Sequence, residues 1–508
     1  MTGADDWVSE KNVPDNARLL RGIQATLRKL KKNVSDEQSL MELNTIDVVL
    51  SEMASRDQRV FYADLYVSFR ALLLEGVKRL PTNPEANTIR QELADSLPPQ
   101  LDPALNYDLI AAKIHRVKRH LSWLVRVSSN GDAAIQDFMA RVCTLENDYL
   151  LQRVNFHDQR TLAEPDAAAP LSAEKMTEYL QQKFPERAGL RVTKFKQLVG
   201  GFQKITVFFE TEDASGKTES LVLRSEKNDK FAAMDAGDIC KEFEIVKHVF
   251  DAGCMVAEPM WLEPDESKLG QRFLVSRRAP GANYGSAIGN DDVSPMTDDV
   301  VRSFISTIAE VHKLPVNAEM RKLSIGHWAD YKTTQENYLA MILLWRNQPW
   351  MKGGNPSPIA DRLTRWLMDN MPSEDINTCL VHCDYGLHNV LVKDMKVSGI
   401  VDWESCRIGD PAEDLAWILH GNFPGITFEK IAAWYEEFTG NRISEYRLRY
   451  YNVMLCLKFL MSGTSAESMY EKNEEASIVW LILSYRYTTY ATTRFESLIN
   501  LAESARAR

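Results

Sequence analysis

From about residue 295 onward the sequence reads almost entirely as helix, with one interruption. The stretch Leu380-Val-His-Cys-Asp-Tyr-Gly-Leu-His-Asn-Val-Leu-Val-Lys-Asp-Met-Lys-Val-Ser-Gly-Ile-Val-Asp-Trp-Glu404 breaks the helical period. Short apolar runs, a polar loop and a tight connection predict a strand, a loop and then a hairpin. The arms are Val390–Val392 and Val397–Val401, joined through Lys393–Lys396. A β island of this kind inside a helical region must pack both of its faces. Its polar end must therefore gather whatever polar side chains it carries.

Those side chains are Asp384, Asn389 and Asp402. Carboxylate and amide oxygens are hard ligands, suited to Mg²⁺, which keeps few protein contacts and takes waters or phosphates for the rest. A further carboxylate beside such an ion can orient a hydroxyl and accept its proton. Asp-x4-Asn, followed 13 residues later by an Asp at a strand end, is a spacing that phosphoryl transfer would use.

The rest of the chain supplies a setting. With 508 residues it is too long for one core. Residues 1–160 carry apolar stripes at helical spacing. These are Leu20, Ile23, Leu27 and Leu30; Leu40, Leu43, Ile46, Leu50 and Met53; Leu65, Phe69, Leu72 and Leu73; Ile110, Ile114, Val117, Leu121 and Leu124; and Ile135, Phe138, Val142 and Leu145. Pro81, Pro84, Pro98, Pro99 and Pro103 punctuate them, so a bundle of about five helices is expected. Residues 161–170 read as an Ala/Pro linker, and a helix follows from Leu171 to Phe184. The period then changes to strand. Ile205, Val207 and Phe209 alternate, Ser215-Gly-Lys217 turns the chain, and Leu221–Arg224 returns. Cys240–Val249 reads as helix and Phe273–Ser276 as strand, ended by Ala279-Pro-Gly281.

Sixty basic against 71 acidic side chains give a net charge of −11, which argues against a general nucleic-acid or anionic-membrane binder. Seven scattered cysteines do not make a disulfide framework and fit a reducing compartment. Cys379 and Cys383 have no second pair nearby in sequence to complete a zinc set, so they read as ordinary thiols. Met1-Thr-Gly-Ala-Asp-Asp has no apolar leader core, and no apolar run approaches a membrane span. A cytoplasmic protein is expected. The basic cluster Arg28, Lys29, Lys31 and Lys32 reads as a solvated helix face.

His382-x-Asp384-x4-Asn389, then Asp402-Trp-Glu404 and Gly409-Asp-Pro-Ala-Glu-Asp414-Leu-Ala, resembles the aminoglycoside phosphotransferase and choline kinase superfamily. The resemblance covers roughly residues 171–508. It implies an α+β, protein-kinase-like fold of two lobes: a small β-rich N-lobe over 171–280 and a mostly helical C-lobe over 281–508. The all-α bundle of 1–160 precedes it. ATP and Mg²⁺ are the implied cofactors, and the implied reaction is transfer of phosphate to a hydroxyl of a small molecule. Asp384 would be the catalytic base or the group orienting the hydroxyl, with His382 bracing its loop. Asn389 and Asp402 would hold metal, assisted by Glu404. Asp410 and Asp414 would stabilise the fold locally.

The same resemblance places Gly200 and Gly201 (Leu198-Val-Gly-Gly-Phe-Gln-Lys204) in a phosphate-covering loop. Gln203 and Lys204 stand where the family commonly has Ser-Asn, and Lys204 would offer an ammonium to the phosphates. Arg224 takes the place of the phosphate-gripping Lys, with a forked donor in place of a point charge. Glu242 is its implied acidic partner; Glu244 lies on another helix face. Ser276, Arg277 and Arg278 match the hinge that meets the adenine.

The acceptor is less constrained. Residues 315–375 hold seven basic and seven acidic side chains, and 420–508 hold ten of each, so no acidic surplus invites a polycation. Leu344-Trp-Arg-Asn-Gln-Pro-Trp350 resembles the branch linked to acyl-CoA dehydrogenases, which implies a hydroxyacyl-CoA or hydroxy-acid acceptor. An aminoglycoside or macrolide kinase, and a pseudokinase that binds a partner, stay open as alternatives. The helical bundle could bind a partner, cover the acceptor, or pair with a second copy as a homodimer.

Overall fold

The computed structural model describes residues 27, 34, 40, 43–44, 46–47, 58–79, 84–101, 107–128, 133–152, 171–198, 204–226, 238–284, 297–323, 333–347, 357–373, 378–420, 425–472 and 478–507. The described residues fall into two compact units. One draws on 1–163, 346–365 and 459–494, the other on 164–345, 366–458 and 495–508.

In the first unit, the described helices include α1 (Gln58–Arg79), α2 (Pro84–Asp95), α3 (Tyr107–Val127) and α4 (Ala133–Gln152). The apolar stripes predicted on α1, α3 and α4 meet in one core, where Phe69, Leu73, Ile114, Leu121, Phe138 and Val142 are buried together. Pro84 opens α2 at the first helical position, where its missing N–H costs nothing. The stripes of residues 20–30 and 40–53 lie mostly outside the described residues, as do the 161–170 linker and the Arg28–Lys32 cluster. Two buried carboxylates of this unit, Glu146 and Asp361, are ion-paired. Lys118 Nζ lies 3.0 Å from Glu146 Oε1, and Glu146 Oε2 accepts from the Ile359 amide at 2.6 Å. Asp361 accepts from Ser122 and is paired with Arg126 and Arg346.

The second unit begins with α5 (Ala173–Lys183), capped by Ser172, whose side chain accepts from the Lys175 amide. A five-stranded antiparallel sheet follows: β1 (Arg191–Gln197), β2 (Lys204–Glu212), β3 (Thr218–Glu226), β4 (Pro259–Glu263) and β5 (Phe273–Arg277), in the order β1-β2-β3-β5-β4. Period-2 alternation sorts its side chains. Val207, Phe209, Leu221, Leu223, Phe273 and Val275 form a core with Met176, Tyr179 and Leu180 of α5. Lys204, Thr206 and Arg224 carry the opposite parity on β2 and β3, and Thr206 pairs directly with Arg224. Helix α6 (Ile239–Asp251) brings Glu242 to that Arg224 face.

A second, smaller β region contains β6 (Ala282–Asn283), β7 (Cys379–Val381), β8 (Val390–Lys393), β9 (Lys396–Ile400) and β10 (Arg407–Gly409). The predicted hairpin is β8–β9, with β6 added beside β8, while β7 pairs with β10. Gly281 leads into β6 at φ +107°, and a Cβ there would come within 2.9 Å of the Val392 carbonyl, so no larger residue fits. The described helices that follow β5 are α7 (Asp298–His312), α8 (Ala318–Leu323), α9 (Thr334–Arg346), α10 (Pro358–Asp369), α11 (Pro411–His420), α12 (Phe428–Thr439), α13 (Glu445–Lys472) and α14 (Ile478–Arg506). A β-rich part followed by a mostly helical one that contains the β8–β9 hairpin is the kinase-like arrangement expected from the sequence. No described helix is long and apolar enough to cross a membrane.

Removing one partner of a buried ion pair strands the other charge in the interior. Lys118→Met should therefore cost about 3–5 kcal/mol of the stability read by urea denaturation. Adding Glu146→Gln should recover part of that loss, because the uncharged amide oxygen still accepts from Ile359. A single variant as stable as the wild type would show that the pair contributes nothing.

Candidate active site

The polar end of the β8–β9 hairpin is built on a strained loop. Cys383 adopts φ +68° and Asp402 φ +69°, left-handed values that non-glycine residues hold only when their surroundings impose them. At Cys383 the imposing group is Asp414 on α11. Its Oδ2 accepts from the His382 amide at 2.8 Å and from His312 Nε2 at 3.1 Å; its Oδ1 accepts from the Cys383 amide at 2.8 Å. Burial opposes ionisation of Asp414, yet the hydrogen bond and charge of His312, with His382 behind them, hold it below the usual carboxylate range. His382 is fully buried, and its Nε2–H donates to the Val401 carbonyl at 3.0 Å. Burial pushes the imidazole down, so it is a neutral strut between the loop and the segment carrying Asp402.

Asp384 lies on this loop. Its Oδ2 accepts from Asn389 Nδ2 at 2.8 Å and His388 Nε2 at 3.3 Å, while Oδ1 accepts from Lys458 Nζ at 3.2 Å. Burial would raise its pKa, but the charges of Lys458 and His388 hold the carboxyl well below the ordinary range. Asn389 spends its amide nitrogen on Asp384, so its Oδ1 is the atom left to accept or ligate. Asp402 accepts from Arg224 Nη2 through Oδ1 at 2.7 Å.

Arg224 is a fork. Nη1 donates to Glu242 Oε1 at 2.8 Å while Nη2 reaches Asp402, joining α6, the sheet and the loop through one guanidinium. Burial would lower its pKa, but Asp402, Glu242 and Glu404 more than compensate, so the group stays charged. Lys204 Nζ lies among three carboxylates, 3.7 Å from Glu242 Oε2 and 3.9 Å from both Glu226 Oε1 and Glu404 Oε2. The Oε2 atoms of Glu242 and Glu404 are buried without a hydrogen-bond donor. Burial and the neighbouring Asp402 charge push the Glu404 carboxyl well above its ordinary range. Among the described residues no three His, Cys, Asp or Glu side chains gather as a metal set; the oxygen types that would suit a small divalent cation are Asn389 Oδ1 and the second oxygen of Asp402.

Eight of the candidate residues therefore converge: His382, Asp384, Asn389, Asp402, Glu404, Lys204, Arg224 and Glu242. Glu244 is exposed, on another face of α6. Arg277 does not join them. Its side chain pairs with Glu258 at 2.7 Å and Glu219 at 3.5 Å, and its amide donates to the Glu258 carbonyl. The Arg278 amide is likewise committed to Ser220. Gly200, Gly201 and Gln203 lie outside the described residues, as does Trp350. Trp345 is buried, and Arg346 is spent on Asp361. Asp410 pairs with Arg447 at 2.6 Å and accepts from the Ala412 amide. None of the seven cysteines is in a disulfide, and burial pushes the thiols of Cys379 and Cys383 up.

Lys458 escaped the sequence reading. Its only signal is a lone charge in the apolar run Leu455-Cys-Leu-Lys-Phe-Leu-Met461 of α13.

Residues 194–452 match the family described as Phosphotransferase enzyme family. The chain belongs to that family. Among curated relatives of this phosphotransferase, acyl-CoA dehydrogenase family member 11 of Mus musculus is 29% identical over 245 residues, which is 47% of this chain and 29% of that protein. The Homo sapiens protein of the same name is 30% identical over 185 residues, 36% of this chain and 23% of that one. Viomycin phosphotransferase of Streptomyces vinaceus is 29% identical over 188 residues, 34% of this chain and 60% of that one. The chain thus spans less than a third of the acyl-CoA dehydrogenase relatives that it matches. Among solved structures, the macrolide 2′-phosphotransferase of Brachybacterium faecium aligns at TM-score 0.43 and 17% identity, over 61% of this chain and 97% of that one. An aminoglycoside phosphotransferase in ternary complex with AMP-PNP and hygromycin B aligns at TM-score 0.42 and 20% identity, over 65% and 99%.

The depressed ionisation of Asp414 makes a stability claim with a definite sign. Its folded pKa lies below the unfolded value of about 3.9. The carboxylate therefore stabilises the fold above that value and ceases to as pH falls through the folded one. Asp414→Asn should cost about 3 kcal/mol at pH 7, and the gap from wild type should begin to narrow as pH falls below about 4. Thermal melts between pH 3 and 7 measure it; a gap independent of pH would contradict the assignment.

Proposed function

We propose that this phosphotransferase moves the terminal phosphate of ATP to a hydroxyl of a small molecule. The observation that supports this reading best is that an ionised Asp384 and the ligand-type oxygen of Asn389 lie on a strained loop that His382 ties to the segment carrying Asp402, which in turn pairs with the cation Arg224. Asp384 orients the acceptor hydroxyl and receives its proton late. A carboxylate held this acidic is a poor base before bond formation, but it suits a loose transition state in which the proton leaves as the new O–P bond forms. Asn389 Oδ1, the free Asp402 oxygen and, behind them, Glu404 would hold Mg²⁺. When bound, the ion would neutralise charge on the phosphate oxygens.

Arg224 grips phosphate from the sheet side while Glu242 holds its other nitrogen in place. Lys204 adds a second cation, and Gly200 and Gly201 would cover the phosphates from above. Arg277 has no part in this scheme, because its side chain and amide are both committed elsewhere. For the acceptor we favour a hydroxyacyl-CoA or hydroxy acid. The supports are the acyl-CoA dehydrogenase relatives and the absence of an acidic surplus in the sequence of the helical half. The region of residues 1–160 is assigned to partner binding, acceptor cover or pairing of two copies.

A panel of hydroxyacyl-CoA esters, hydroxy acids, aminoglycosides and macrolides, assayed for ADP release, tests the proposal. Turnover should need Mg²⁺ and stop with EDTA, and Asp384→Ala should lower kcat by about 10³-fold. Turnover confined to an antibiotic would replace the acceptor assignment. ATP binding without turnover on any acceptor would replace catalysis by a partner-binding role.

A further inference from the structure

The charge facing Asp384 from α13 has no counterpart in the roles assigned so far. Lys458 is buried, with its Nζ donating to the Cys383 carbonyl at 2.7 Å and to Asp384 Oδ1 at 3.2 Å, and it lies 5.3 Å from the centre of the Trp417 ring. Burying an ammonium is costly unless its partners are well placed. These two partners are adjacent in sequence and flank the strained peptide that leads into Asp384.

The contacts divide the work between the two carboxylate oxygens. Asn389 and His388 hold Oδ2, while among the described residues Lys458 alone donates to Oδ1. A carboxylate oxygen has two acceptor positions, so Oδ1 retains one for an incoming hydroxyl. We propose that Lys458 is a positioning residue for phosphoryl transfer, a clamp from α13 that fixes both the Cys383 carbonyl and Asp384 Oδ1 so that this oxygen faces the acceptor hydroxyl. The inference rests on the reading of Asp384 given above. In the step it serves, the acceptor oxygen forms a bond to the terminal phosphorus as the bond from phosphorus to the bridging oxygen breaks. The electron pair of that bond stays with the departing ADP, and the hydroxyl proton passes to Oδ1 and then to solvent. Lys458 itself gains and loses nothing. Without it, the carboxylate is held from one side only and is free to turn.

The experiment compares Lys458→Met, Lys458→Gln and Lys458→Arg with wild type in crystal structures and in steady-state kinetics. In Lys458→Met, Asp384 should rotate away from its present contact with Asn389. The kcat should drop about 100-fold, the loss expected of a reacting group misplaced by about 1 Å, while the KM for ATP stays within about threefold. Lys458→Arg, which keeps a charged donor, should recover more of kcat than Lys458→Gln. Should Lys458→Met fail to fold, the Gln and Arg variants carry the same comparison. An unmoved Asp384 in the variant structures overturns the inference whatever the rates do. So does an equal fall in kcat for the Arg and Gln variants with the carboxylate in place. A wild-type protein that turns over no acceptor would instead sink the kinase reading. The position of Asp384 in the variants would then decide the clamp by itself.

Discussion

Two consecutive backbone amides, those of His382 and Cys383, point into an interior where no water can receive them. Asp414 takes both, one on each oxygen, and is itself held by His312. An unpaired buried amide costs as much as a lost hydrogen bond, and a buried carboxylate costs more. Pairing them removes both penalties at once, and only if the peptide at Cys383 accepts a left-handed twist. The twist is what presents Asp384 to one side of the loop and sends His382 inward to the Val401 carbonyl.

The second constraint is charge. Arg224, Lys204, Glu242, Glu404 and Asp402 sit close together with little water among them. Each would be unfavourable alone. A forked guanidinium satisfies two carboxylates on separate elements, which a point-charge ammonium does less well. Lys204 then balances the remaining negative charge without a short bond to any one of its three neighbours. Such a cluster adds little stability by itself, yet it leaves oxygens without donors.

Much of this was readable in the linear chain. The hairpin arms around residue 390, the strand pair at 204–226 and the helix bearing Glu242 announce themselves by period. The candidate acids stand at spacings that only a hairpin end can use. The misses have physical causes. Strand β1, Arg191-Val-Thr-Lys-Phe-Lys-Gln197, is an exposed edge rich in cations, and β4, Pro-Met-Trp-Leu-Glu, is too short to show alternation. Arg277 stands beside a hinge in sequence, but its guanidinium answers to Glu258 and Glu219, which arrive from neighbouring strands. Trp345 and Arg346 carry the resemblance to the acyl-CoA dehydrogenase branch, and in the structure Trp345 is buried while Arg346 pairs with Asp361.

Period, turn chemistry and the order of the acidic residues are local properties, so the chain alone determined the lobes' element types, the hairpin and the family. Which charge meets which is a property of distance in space. Lys458 stands 74 residues beyond Asp384, and Arg224 stands 178 residues before Asp402. Only the folded chain brings these groups within hydrogen-bonding range, because burial fixes partners by the cost of leaving any charge alone.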